Sequence, residues 1–519
     1  MPCTTSQLAL GALSLAFFPA AYVLVYFMME HKEWCFADFC VESMGSRRVP
    51  VRNTLAIYYS FLAFTAIIAF AAKKLCTLKR IVGMKLHSRY SVTLGEVAWF
   101  STALLLTLIV VPAMIWKPYW NMWASMLVSM ANGKMNMGPG MQEKTWPWVR
   151  IVYETMILTT GDSLALLIGL VLIPVSKNSF LAWFLDLPYT STLRIHMWLG
   201  YSIFWLTVYH LIITILSFSL DQTPLYELFF TIPAGTPWGN IKYIYITGMV
   251  SFFLIGIVTI TSLSYVRRKA YNVFYLTHFL IFISLLFAYF HASMDIFYAI
   301  PGLCMYALDG CIRLASKFSK SVVKSVVFEE CGYITVTVST TQAADARPGQ
   351  FMRVNVPAVS AFEFHPWSIV KATPDSVSFM FQRSSETKEW SSLVADKLKS
   401  DSNIAIHLQG PFGKEIDLVA SSQKQQNALV FYVAGTGIAA SIAAIEQAVK
   451  RNTESAIQTK VFLFWTAGYS GIEKISWIQE WVANGKVVVV ELDALERADA
   501  YSKGEKGVKL NVELESYDL

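Results

Sequence analysis

Four of the eight histidines fall inside just two apolar stretches. His196 and His210 lie in TLRIHMWLGYSIFWLTVYHLII (192–213), and His278 and His291 lie in 273–292. A single histidine in such a stretch ordinarily reads as a hydrogen-bonded packing residue. Polar groups within hydrocarbon are costly, however, and mark functional positions. Here they come as two pairs, fourteen and thirteen residues apart. At about 1.5 Å per residue, fourteen residues climb about 21 Å. That separates two layers within a hydrocarbon core about 30 Å thick. If both helices enter from the same side, each layer receives one imidazole from each helix. Two imidazoles facing each other across a bundle suit the axial positions of a haem iron. Two such haems, one above the other, make an electron path through a membrane. Zinc fits less well, because each layer offers two histidines and no nearby cysteine or carboxylate.

The spacing also makes a demand on geometry. Fourteen residues at about 100° each return to within about 40° of the same face. Thirteen residues leave His278 and His291 about 140° apart on an ideal helix. The second stretch is therefore expected to be rewound, bent or bulged between them.

The elements that must carry these residues are membrane spans. Of 519 residues, 55% are hydrophobic, and the mean hydropathy is positive. Apolar runs dominate residues 1–312, whereas 313–519 reads as a soluble mixture. Eight segments stand out, roughly 8–29, 54–72, 96–115, 151–175, 194–217, 243–263, 273–292 and 295–312, most with the ~20 apolar residues a span needs. The first lacks a basic start and is long for a cleavable signal, so it reads as a retained helix. Residues 120–131 read as an interfacial helix. Lys73, Lys74, Lys79, Arg80, Lys85 and Arg89 follow the second segment, Arg267, Arg268 and Lys269 the sixth, and Arg313, Lys317, Lys320 and Lys324 the eighth. The positive-inside bias puts these loops and both termini in the cytoplasm. His196 and His278 then form the inner layer, and His210 and His291 the outer. The net charge is only +6, and no Lys/Arg block suggests nucleic acid. The seven cysteines include no CxxC pair, which argues against a zinc framework. Cys35 and Cys40 share one loop and read equally as a disulfide or as two free thiols. The sequence carries no signal for oligomeric state.

H-x13-H on one helix and H-x12-H on the next but one, the second preceded by RRKAYNVFYLTH, resembles the ferric reductase and NADPH oxidase superfamily, with ferric-chelate reductases the nearest in pattern. The resemblance implies that the four histidines bind two b-type haems. It reads Arg194 either as a partner of haem propionates or as a plain positive-inside anchor.

From residue 321 short alternating strands with turn signals suggest an antiparallel barrel. Within it HPWS (365–368), after PGQF (348–351) and before FQRSSETKEWSSL (381–393), resembles the family's flavin motif. By that resemblance His365, Pro366, Trp367 and Ser368 form an FAD site, with Trp367 beside the isoalloxazine. Arg383 is a candidate for the FAD pyrophosphate, or else a solvated strand residue. GPFG (410–413) resembles the family's domain junction. Next, an apolar strand runs into Gly435, Thr436 and Gly437 and then an apolar helix, the order a phosphate-cradling turn needs. VFLFWTAG (461–468), a helix near 472–483 and KVVVVEL (486–492) extend a βαβαβ pattern. Relatives usually continue to a Cys-Gly-Pro turn, whereas no cysteine follows Cys331. The nicotinamide crevice is therefore expected to be shortened, with GVKLNVEL (507–514) offering one further strand.

The expected fold is a polytopic α-helical membrane domain of about eight spans, followed by a cytosolic ferredoxin-reductase-like module. Its parts are N-terminal helices (1–145), a haem-binding domain (146–316), an FAD-binding β-barrel (317–415) and an NAD(P)-binding α/β domain (425–519). The resemblance implies electron transfer from NADPH, with NADH not excluded, through FAD and two haems to an extracytoplasmic acceptor. Ferric chelates come first as that acceptor, because two helices precede the six-helix core. Oxygen, giving superoxide, is the alternative. A third reading is a non-catalytic or partner-dependent relative without a complete nicotinamide site. The expected home is the plasma membrane, with the vacuolar membrane as the alternative.

Overall fold

The computed structural model describes residues 17–26, 48–75, 81–87, 92–131, 147–175, 189–220, 225–226, 244–292, 295–316, 321–329, 332–347, 349–360, 363–384, 387, 389–401, 404–413, 428–454, 460–466, 478–479, 481 and 488–491. Cys35, Cys40, most of the loop 218–242, most of the expected helix near 472–483 and the stretch 507–514 lie outside the described residues. The chain divides into two compact units, Met1–Gly310 and Cys311–Leu519.

The first unit is helical. Its elements are α1 (Phe17–Tyr26), α2 (Arg48–Lys74), a short hairpin of β1 (Lys85–His87) and β2 (Val92–Thr93), α3 (Leu94–Leu105), α4 (Val111–Ala131), α5 (Pro147–Leu172), α6 (Tyr189–Leu220), α7 (Ile244–Thr261), α8 (Ser264–Lys269), α9 (Tyr271–His278), α10 (Leu280–His291) and α11 (Asp295–Ser316). Five apolar stretches among the described residues are long enough to cross a membrane, and three shorter ones accompany them. Together these eight fall on the eight hydrophobic segments of the sequence. One expectation is corrected. Residues 120–131 are not a separate interfacial helix, because α3 runs through a π-helical segment, Leu106–Val110, into α4. Inside α4, Pro118 is accommodated without ending the helix.

The N-terminal helices are locked to the C-terminal one by a repair of missing backbone bonds. Pro301 in α11 has no N–H, which strands the Phe297 carbonyl four residues earlier. The Tyr59 hydroxyl of α2 donates to that carbonyl at 2.9 Å. Its neighbour Tyr58 donates to the Tyr298 carbonyl at 2.9 Å, and Thr54 bonds the Tyr298 hydroxyl. Gly302 lets α11 approach α5 closely, since a Cβ there would come within 2.4 Å of Leu172.

The second unit opens with a closed barrel in the order β3 (Ser321–Phe328), β4 (Tyr333–Ser339), β7 (Ser376–Gln382), β6 (His365–Ala372), β5 (Phe351–Asn355) and β8 (Ala405–Phe412). All its pairings are antiparallel. α12 (Trp390–Ser400) contributes Trp390, Val394 and Leu398 to the barrel core. A three-stranded parallel sheet follows, in the order β11 (Val488–Glu491), β10 (Lys460–Thr466), β9 (Ala428–Ala434). α13 (Ile438–Glu454) covers it by burying Ile438, Ile442 and Ile445 against Val461, Leu463 and Trp465.

Candidate functional site

The four helical histidines meet as two pairs. His196 of α6 faces His278 of α9 with ring centroids 6.1 Å apart. His210 of α6 faces His291 of α10 at 6.2 Å. The demand set by the thirteen-residue spacing is met at Phe279, which separates α9 from α10. There the Phe279 N–H bonds the Leu276 carbonyl, and the Phe282 N–H bonds the Phe279 carbonyl, both i→i−3. Such turns advance about 120° per residue instead of about 100°. Thirteen ordinary residues fall about 140° short of four full turns, so overwinding is the sense of correction required.

The hydrogen bonds of these rings decide which nitrogen is free. His196 Nδ1 lies 3.0 Å from the Val171 carbonyl, which can only accept. His210 Nδ1 lies 2.8 Å from the Thr160 hydroxyl, which already donates to the Met156 carbonyl. His278 Nδ1 lies 3.3 Å from the Ser262 hydroxyl, which donates to the Val258 carbonyl at 2.6 Å. At His196 the carbonyl makes Nδ1 the donor and leaves the Nε2 lone pair for a metal; at His210 and His278 the hydroxyl can accept from Nδ1 in the same sense while donating to its own helix carbonyl. Fixing one nitrogen to present the other is the usual support for a ligating histidine.

These pairs fit a haem iron. Two imidazoles gripping one first-row metal at about 2.0–2.1 Å each, from opposite sides, hold their centroids roughly 6.3 Å apart. Among the described residues no cluster of three or more His, Cys, Asp or Glu could hold a metal ion. Each pair therefore suits a metal that brings its remaining ligands with it, as a macrocycle does.

In the barrel, HPWS forms the start of β6. Trp367 requires a correction: it does not face outward to wall a flavin. It is 6% exposed and stacks on Phe381 at 4.4 Å and 12°. The period-two alternation of the strand sends Trp367 and Ile369 into the core, leaving Pro366 exposed and Ser368 half-buried. His365 stacks on Trp390 at 4.0 Å, and its Nε2 lies 3.8 Å from the Glu363 carboxylate. Partial burial lowers the His365 pKa, Glu363 opposes that shift, and the Arg353 charge adds to it. Arg383 pairs with Asp396 at 2.9 Å, with both side chains about half exposed. Such a pair is weak, so an anion could recruit the guanidinium at small cost.

Gly435, Thr436 and Gly437 form a single turn between β9 and α13. Gly435 has φ +51 and a Cβ there would meet nothing within 4 Å, so the turn is strained for other residues but open in front. The Trp465 indole donates to the Gly435 carbonyl at 3.0 Å and fixes the turn from behind.

Residues 160–289 match the family model described as ferric reductase like transmembrane component, and residues 318–416 match that of an FAD-binding domain. These two matches, in this order, support a place in the ferric reductase and NADPH oxidase superfamily. Its helical unit holds a ferric-reductase-like membrane domain, and its barrel is an FAD-binding domain. Among similar proteins, ferric reduction oxidase 8, mitochondrial, of Arabidopsis thaliana is 24% identical over 297 residues, 55% of this chain and 39% of that protein. Ferric reduction oxidase 2 of the same plant is 23% identical over 303 residues, 56% and 40%. The chain thus spans about two fifths of the length of the curated relatives it matches. A solved ferredoxin reductase of carbazole 1,9a-dioxygenase shares 18% identity over 34% of this chain and 51% of its own, at a TM-score of 0.28.

Other residues carry roles that the sequence did not reveal. Arg194 is not a free anchor. Its guanidinium bonds Glu96 at 2.7 Å, and that carboxylate is fully buried. Glu96 was visible only as a capping-box residue, Thr93-x-x-Glu96, at the start of α3. Thr160 and Ser262 were visible only as polar residues near apolar runs. Arg353, opposite Pro366 across β5 and β6, donates to Gln409 at 3.2 Å and to the Phe364 carbonyl at 3.3 Å. It is a second cation beside the HPWS strand.

Proposed function

We propose that this chain passes electrons outward across a membrane, from cytosolic NADPH or NADH to an extracytoplasmic ferric chelate. The observation that carries the reading is the facing of two imidazole pairs, three of whose four rings are hydrogen-bonded through Nδ1. His196 with His278, and His210 with His291, would hold two b-type haems. His365, Pro366 and Ser368 would border the FAD, and Arg383 would meet its pyrophosphate by exchanging Asp396. Gly435, Thr436 and Gly437 would receive the nicotinamide dinucleotide phosphates against the amides that open α13. When bound, FAD would split a hydride into single electrons, and the haems would relay them. The chain's own work is to orient each imidazole, exclude water from the apolar bundle and keep the two layers apart. Outward electron movement from a negative interior gains roughly 2.3 kcal/mol per 100 mV across the full membrane. The ferric acceptor is favoured by the likeness to ferric reduction oxidases, and the plasma membrane is the proposed location.

The test is a paired assay in membranes expressing the protein and supplied with NADPH. Ferric-chelate reduction that superoxide dismutase does not suppress is expected. Dye reduction abolished by dismutase would assign oxygen as the acceptor. Failure of NADPH to reduce the haems would overturn the enzymatic reading in favour of a partner-dependent protein.

A further inference from the structure

α7 carries no histidine, yet it touches both imidazoles of the broken span α9–α10. Ser262, one residue past its end, holds His278 Nδ1 at 3.3 Å. At its other end Gly248 lies against His291, where a Cβ would come within 2.7 Å of Nδ1 and 2.8 Å of Cε1. Any side chain at 248 would displace that ring or the helix. One turn along from Gly248, Ser251 and Ser284 form a reciprocal clasp. The Ser251 hydroxyl reaches the Ser284 carbonyl at 3.2 Å, the Ser284 hydroxyl reaches the Ser251 carbonyl at 3.1 Å, and the two hydroxyls are 3.0 Å apart. Both serines are buried. Ser284 lies six residues after His278 and seven before His291, so the clasp sits between the two layers.

The break at Phe279 makes this contact necessary. An unbroken helix fixes the angle between its own side chains, but a helix overwound at one point can vary in twist and bend there. Something outside the span must then set where its two imidazoles point. We infer that Gly248, Ser251 and Ser262 of the α7 strip are positioning residues that aim His278 and His291 separately: Ser262 sets the inner ring, Gly248 makes room for the outer one, and the Ser251–Ser284 clasp fixes the register between them. This inference rests on the haem-ligand reading of the four histidines.

The experiment uses the full chain purified from membranes, with the redox midpoint and low-temperature spectrum of each haem recorded separately. Ser262→Ala is expected to weaken retention of the inner haem about 10–100-fold, the usual effect of losing a ligand's hydrogen-bond partner, while leaving the outer spectrum unchanged. Ser262→Thr, which keeps the acceptor oxygen, should restore it. Gly248→Ala should alter only the outer haem. Gly256→Ala is the control, because a Cβ at Gly256 on the same helix meets nothing within 4 Å, and it should alter neither. If Gly248→Ala fails to accumulate while Gly256→Ala does, the Ser262 pair decides alone. Variants that move both haems equally, or neither, would overturn the inference while leaving the ligand assignment standing. A wild-type protein without haem would instead overturn the assignment itself.

Discussion

Replacing Glu96 by alanine would strand the Arg194 guanidinium two residues before His196. Glu96 is fully buried, the Arg194 side chain is 21% exposed, and 2.7 Å separates them. Deleting one partner of a buried pair costs about 3–5 kcal/mol. Partial exposure lets water reach the orphaned cation, which brings the pair's share to about 2–3 kcal/mol. Glu96 also accepts from the Thr93 hydroxyl at 3.1 Å and the Thr93 N–H at 3.4 Å. Losing that helix start adds about 0.5–2 kcal/mol. Arg194→Ala spares the cap but leaves the fully buried Glu96 carboxylate without its counter-charge, about 3–5 kcal/mol, so it should cost at least as much as Glu96→Ala. The double variant should then fall short of the summed single losses by at least about 1 kcal/mol. The assay is unfolding of the purified protein in mixed micelles, followed by tryptophan fluorescence, for all four members of the cycle. Additivity within about 0.5 kcal/mol would refute the pairing. Haem loss in Arg194→Ala at unchanged stability would return that arginine to a propionate.

Three further outcomes are expected. Tyr59→Phe leaves the Phe297 carbonyl without the donor that replaces Pro301's missing N–H, at a cost of about 1–3 kcal/mol; Pro301→Ala in the same chain should recover most of it in the same unfolding assay, and no recovery would refute the repair. His365 has its pKa lowered by burial, so the unfolded chain binds more protons over the window from that lowered value up to about 6.5. Stability is therefore fully present above that window and is lost as pH falls through it; the thermal midpoint should drop between pH 7.5 and 5.5 by more in the wild type than in His365→Gln, modestly because the side chain is 43% exposed. Gly435→Ala forces a side chain into φ +51, at about 1–2 kcal/mol of local strain, and should slow flavin reduction by NADPH while leaving reduction by dithionite unchanged.

The sequence made the residue pairs legible but not their surroundings. Eight apolar runs, the histidine spacing, the barrel strands and the strand–Gly435–Thr436–Gly437–helix order are local or periodic signals, and the described elements fall on them. The need for a distortion between His278 and His291 followed from helical arithmetic; its position at Phe279 depends on packing and did not. The Glu96 partner of Arg194 was not legible, because it lies 98 residues upstream in a helix that no motif joins to it. Trp367 was misjudged for a different reason. A motif resemblance outweighed the alternation of β6, which by itself turns 367 and 369 to the same face. Residues 96–115 and 120–131 were not read as joined, yet they run together through Leu106–Val110 into α4, with Pro118 inside that helix.

The most direct measurement is the haem stoichiometry and optical and paramagnetic spectrum of the purified chain, compared with His210→Ala. The account predicts a Soret band from two low-spin, bis-imidazole haems per chain, and the loss of the outer one alone when His210 is replaced. A chain without a Soret band, or a His210→Ala variant with both haems unchanged, would contradict it.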